Sequence, residues 1–163
     1  MYFRNMEIYS IWVKAQNDSL RRVEGLIDEI AQAEGTEKFE PHVTLVSSIY
    51  SLEKAEEILD KIVKKKINVS FDSYSTGNSY FQRLYLTSSD NLGFFNAISG
   101  IEGWPSLWIP HLSLYYGNEL PNVFSLDQIN KEIPVEAVFD KLQLCITGPD
   151  ISEWKEVTSV FLD

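Results

Sequence analysis

The spacing of apolar positions switches along the chain between the two-residue period of a strand and the three-to-four-residue period of a helix. Residues 7–14 (EIYSIWVK) are rich in β-branched and aromatic types and predict a strand. Asn17-Asp18-Ser19 offers an N-cap to a helix over about residues 19–33. Its apolar positions Leu20, Val23, Leu26, Ile27 and Ile30 share one face, and Gly35 ends it. Residues 41–48 predict a short strand. Ser51 caps a second helix over about 52–65, with Lys61 and Lys64-Lys65-Lys66 in a last turn where the helix dipole favours cations.

Residues 67–76 and 79–88 read as a hairpin around Thr76-Gly77-Asn78, and 90–99 as a helix. Residues 103–110 form a loop carrying Trp104 and Trp108, followed by a strand at 111–116. Ser125-Leu-Asp-Gln128 has the form of a capping box and opens a helix up to Ile133. Strands at 134–140, 141–147 and 153–162 close the chain, broken at Gly148-Pro149. This order predicts one α+β domain over residues 1–163, built on two small antiparallel sheets rather than a doubly wound parallel one.

Composition narrows the partners. The 163 residues carry a formal charge of −10 with only two histidines, and 44% of them are hydrophobic, enough for a sizeable core. Such a charge disfavours a long RNA or DNA footprint, but a local site can still oppose the global field for a small anion. The single Cys145 excludes an internal disulfide framework and a multi-cysteine metal site. No apolar stretch approaches the roughly 20 residues that span a bilayer, and the start lacks the apolar core of a secretory signal. The expectation is a cytoplasmic monomer with no membrane partner.

The chemistry lies in a duplication. Both histidines occupy the same local sequence: Pro41-His42-Val43-Thr44-Leu45 and Pro110-His111-Leu112-Ser113-Leu114. Residues at i and i+2 of a strand share a face, roughly 6.5–7 Å apart. His42 and Thr44 therefore point one way while Val43 and Leu45 point into the core. His111 and Ser113 repeat the arrangement above Leu112 and Leu114. Brought together, the two strands unite two imidazoles, one able to act as base and the other as acid, with two hydroxyls that donate to phosphate oxygens. No HExxH-like or acid-rich spacing offers the further ligands a metal would need. There is no Gly-x-Ser-x-Gly elbow and no glycine-rich phosphate loop.

Two His-x-Thr/Ser motifs define the 2H phosphoesterase superfamily, which the chain resembles. It is similar in particular to cyclic phosphodiesterases of the plant and yeast type. The segments that carry this are Tyr9-Ser-Ile-Trp12, Phe39-Glu-Pro-His-Val-Thr44, Ser75-Thr-Gly77 with Tyr80-Phe-Gln82, Ile109-Pro-His-Leu-Ser-Leu114, and Leu142-Gln-Leu-Cys-Ile146 with Trp154 and Val157. The resemblance implies two pseudo-symmetric lobes, each an antiparallel sheet flanked by helices, with an active-site cleft between them. It assigns His42 and His111 as catalytic, Thr44 and Ser113 as phosphate-binding, and Trp12 and Tyr116 as substrate-binding aromatics. Phe81 is a further candidate for the cleft wall. Strict alternation would turn Tyr116 away from His111, so the strand must bulge or end after Ser113. The chain departs from plant relatives in having no cysteines to pair and a shorter insert between the motifs.

The implied activity needs no cofactor or metal. It is hydrolysis of ADP-ribose 1″,2″-cyclic phosphate or of nucleoside 2′,3′-cyclic phosphates to 2′-phosphates, with His111 as base and His42 as acid. Two alternatives stand beside it. One is a 2H phosphoesterase acting on RNA ends or short, including cyclic, oligonucleotides. The other is a nucleotide-binding module without catalysis.

Overall fold

The computed structural model describes residues 7–103, 108–122 and 126–163. Nine strands and four helices follow in the order β1 (Ile8–Lys14), α1 (Arg21–Glu34), β2 (Val43–Ile49), α2 (Leu52–Lys61), β3 (Ile67–Phe71), β4 (Ser73–Ser79), β5 (Gln82–Thr87), α3 (Leu92–Ala97), β6 (Leu112–Tyr115), α4 (Leu126–Glu132), β7 (Val135–Phe139), β8 (Lys141–Thr147) and β9 (Lys155–Phe161). Seven strands form one antiparallel sheet in the order β4-β5-β6-β2-β1-β8-β9, and β3 and β7 form a second, two-stranded sheet. The expected α+β architecture is present. The two half-sheets meet edge to edge where β2 pairs with β6 through Val43 and Leu112.

The large sheet has two unlike faces because its strands alternate. Ile11, Val13, Val43, Leu84, Leu86, Leu112, Leu142 and Leu144 point into the core and are fully buried. The helices cover that face: α1 lies against β6, and α2 against β1, β2 and β8. The small sheet completes the core through Phe71 and Phe139, with Phe94 of α3 packed on Phe139. The opposite face of the large sheet bears the motif side chains.

Caps behave as their chemistry dictates. Ser51 accepts from the Lys54 amide at 3.1 Å, and Gly35 ends α1 in the left-handed region at φ 69°. Asn17 caps a single 3₁₀ turn, Asp18–Leu20, that leads into α1. The second helix stops at Lys61, earlier than expected. Lys64 lies beyond it and folds back, its ammonium donating to the carbonyls of Leu59 and Ile62, both at 2.5 Å. The expected continuous strand 67–76 breaks at Asp72 and feeds two sheets. The carboxylate of Asp72 there accepts from the amide and hydroxyl of Ser89. The hairpin turn is Tyr80-Phe81, since Ser79 pairs with Gln82. Gly77-Asn78 forms a bulge in β4 instead of the turn, and a Cβ on Gly77 would come within 2.0 Å of the Gln82 carbonyl oxygen. Trp104 and the expected Ser125 cap lie outside the described residues.

Candidate active site

Each histidine stands one residue before its strand, directly after proline. Proline confines the preceding residue to extended backbone, which carries the carbonyls of Glu40 and Ile109 back toward the rings. His42 Nδ1 donates to the Glu40 carbonyl at 2.8 Å, and His111 Nδ1 donates to the Ile109 carbonyl at 3.1 Å. A carbonyl can only accept, so each Nδ1 carries hydrogen and each Nε2 remains for chemistry.

The β2–β6 register sets the mutual placement. With Val43 opposite Leu112, continuing one residue each way puts His42 beside Ser113 and Thr44 beside His111. Directly opposed residues hold their Cβ atoms about 4.5–5.5 Å apart. All four side chains line one cavity of about 520 Å³. Trp12, Phe81, Trp108 and Tyr116 are in the same wall, so every site residue expected from the sequence reaches this cavity.

A bulge follows each motif. Trp12 pairs with Thr44 and Ile11 with Val46, leaving Leu45 as the extra residue. Tyr85 pairs with Ser113 and Leu84 with Tyr115, leaving Leu114 as the extra residue. The second bulge resolves the alternation conflict at Tyr116. Tyr115 goes to the core side with Leu112, β6 ends, and buried Tyr116 turns into the cleft. A Cβ on Gly117 would meet the Tyr115 ring, so a larger residue there would require that ring to shift.

Burial sets the electrostatics. His42 is 6% exposed and its ring stacks on Trp12 at 3.7 Å between centroids. Burial pushes its pKa down to about 3, and the charges of Lys14 and His111 push the same way. His111, half-buried, is also lowered by burial, against a smaller opposing effect of its bond to Ile109. Burial raises the Tyr116 phenol, opposed by a hydrogen bond with Ser113. The cavity lining described contains no Asp, Glu, Lys or Arg. Hydroxyls dominate its polar part: Ser10, Ser47, Ser48, Ser79 and Thr147 join the two motif hydroxyls. Among the described residues, no group of three His, Cys, Asp or Glu side chains could hold a metal ion.

The sequence profile of the cyclic phosphodiesterase-like proteins matches residues 6–99, more than half of the chain. The chain belongs to this family. As a cyclic phosphodiesterase-like protein it has the 2H phosphoesterase fold. The E. coli LigT apo structure aligns with a TM-score of 0.66 at 10% identity, covering 96% of this chain and 97% of LigT. LigT complexed with 3′-AMP aligns with a TM-score of 0.66 at 11% identity, over 97% and 99% of the two chains. A crystal structure described as a phosphoesterase gives 0.64 at 11%, over 96% and 98%. No curated protein sequence matches significantly.

Two aromatic residues of this cyclic phosphodiesterase-like protein received no site role from the motifs, although Trp154 is among those that carry the resemblance. Trp154 anchors its indole N–H on the Gly148 carbonyl at 2.8 Å and sets its ring edge-on to Trp12 at 5.4 Å. Tyr85 is the pseudo-symmetric counterpart of Trp12. Trp12 opposes Thr44 and touches His42, while Tyr85 opposes Ser113 and meets the His111 ring edge-on at 5.2 Å. The available signal was the motif duplication itself, carried out to the neighbouring strands. No helix in the described residues is long and apolar enough to cross a membrane.

Proposed function

We propose that the chain hydrolyses a small five-membered cyclic phosphate without a metal, opening ADP-ribose 1″,2″-cyclic phosphate or nucleoside 2′,3′-cyclic phosphates to the 2′-phosphate. The observation that carries this is that both histidines and both motif hydroxyl residues line one cavity, on paired strands β2 and β6. Membership of the cyclic phosphodiesterase-like family supports it. So does the solution of LigT, which shares the fold, with 3′-AMP and with ATP.

Half-buried His111 meets water more readily than His42 does, which suits it as the base. Its Nε2 takes a proton from water as the water oxygen bonds to phosphorus. His42, as imidazolium, gives its Nε2 proton to the ribose oxygen as the P–O bond breaks. The stacked indole of Trp12 stabilises that cation, and the phosphate anion offsets the burial that otherwise keeps His42 neutral. Thr44 and Ser113 donate to the non-bridging oxygens, where charge grows in the transition state. Trp12, Tyr116 and Phe81 wall the sugar and base. The neutral, hydroxyl-rich lining suits a small anion in an acidic chain and offers no basic track for long RNA.

The test is turnover of ADP-ribose 1″,2″-cyclic phosphate and the four nucleoside 2′,3′-cyclic phosphates, with products resolved. His42→Ala and His111→Ala are each expected to lose about 10³-fold in kcat, with folding retained by circular dichroism and activity intact after exhaustive chelation. Undiminished turnover in either variant refutes the mechanism. Tight nucleotide binding without turnover would mark the chain as a binding module.

A further inference from the structure

A second cavity, of about 310 Å³, adjoins the histidine cleft and shares Trp12 and Trp154 with it. Its lining is chemically opposite. Lys14, Lys38, Lys141 and Lys155 surround it, four of the chain's fourteen basic residues. Only Glu40 and Glu156 of the lining are acidic; they pair with Lys14 and Lys141 respectively. Among the described residues Lys38 and Lys155 have no ion-pair partner, and both are exposed. The cavity thus holds two uncompensated positive charges in a chain of net charge −10.

The strand register adds an independent observation. Lys14 and Lys141 stand directly opposite each other in the β1–β8 ladder. Like charges so placed repel, and burial together with Lys141 lowers the pKa of Lys14. One glutamate on each lysine offsets this pair but leaves the two exposed lysines beside it free to bind an anion. An anion held here would lie across the Trp12–Trp154 wall from the histidines, within the same sheet face.

We propose that this lysine cavity is a distal phosphate subsite, taking the diphosphate of a substrate whose cyclic phosphate sits in the histidine cleft. Substrates of the sugar cyclic phosphate class that carry a diphosphate are thereby favoured over simple nucleoside cyclic monophosphates. The identity of that substrate rests on the cyclic phosphodiesterase reading; the affinity of the cavity for a diphosphate does not.

The experiment uses the full chain and Lys38→Glu/Lys155→Glu. Calorimetric titration with inorganic pyrophosphate is expected to show binding that weakens at least tenfold in the double variant. The kcat/KM ratio of ADP-ribose 1″,2″-cyclic phosphate to a nucleoside 2′,3′-cyclic phosphate is expected to fall about tenfold. An unchanged pyrophosphate affinity, or an unchanged ratio, overturns the subsite. If neither cyclic phosphate is turned over, the hydrolase reading fails and the pyrophosphate titration alone decides the subsite.

Discussion

His42 and His111 share a carbonyl anchor but not a setting. His42 is sealed beneath Trp12, whereas His111 meets Tyr85 edge-on and keeps contact with solvent. Both are lowered from the ordinary histidine value of 6.5. Since kcat/KM reports the free protein, its pH profile is expected to be a bell whose maximum lies below pH 6.5. The kcat bell should sit at higher pH, because a bound phosphate favours the imidazolium. The two limbs belong to the pair and not to either ring. A kcat/KM maximum above pH 7 would contradict the burial argument. Tyr85 acts on this reading through His111, as a positioning residue. Tyr85→Leu is expected to lower kcat about tenfold and move the kcat/KM limbs, with Tyr85→Phe restoring both. A loss of stability with an unmoved pH profile would leave Tyr85 a packing residue.

At the scale of elements, the bulges decide which residues reach the cleft. Leu45 and Leu114, each third after its histidine, are both fully buried and are both the unpaired residue of a bulge. Apolar residues fit that place in either register, so the bulge itself is invisible in a single strand's sequence; it exists only in pairing with the neighbour. The same holds at Gly77-Asn78, where residues that favour a turn make a bulge, since both need unusual backbone freedom. What is legible is local: the alternation that buries Val43 and Leu112, the caps at Ser51 and Gly35, and the shared face of each His-x-Thr/Ser pair. The joining of two half-sheets through β2 and β6 is long-range and leaves no local mark. Gly77→Ala tests the hairpin. Its methyl would collide with the Gln82 carbonyl, so a destabilisation of about 2 kcal/mol is expected, or about 4–8 °C in Tm for a chain of this size. Phe81 and Gln82 line the cleft, so KM for a cyclic nucleotide should rise as well. An unchanged Tm would mean that the bulge tolerates a side chain.

At the scale of the whole molecule, buried His42 and the net charge of −10 set opposite pH dependences of stability. Protonating surface carboxylates relieves repulsion as pH falls, but above about pH 5 most of them remain charged. His42 acts earlier. Its folded pKa of about 3 lies far below the 6.5 of the unfolded chain, so between these values the unfolded state binds the extra proton. Its contribution is fully present above pH 6.5 and is lost progressively as pH falls toward 3. The amount at stake is on the order of a few kcal/mol. His42→Gln removes this titration while keeping a side chain that can hydrogen-bond at Glu40. Denaturant unfolding of both proteins between pH 7.5 and 5 should therefore show the native chain losing its advantage over the variant as the solution becomes more acidic. Parallel stability curves would mean that His42 is protonated as easily in the fold as outside it. The two histidines would then sit in a far wetter cleft than the Trp12 stack implies.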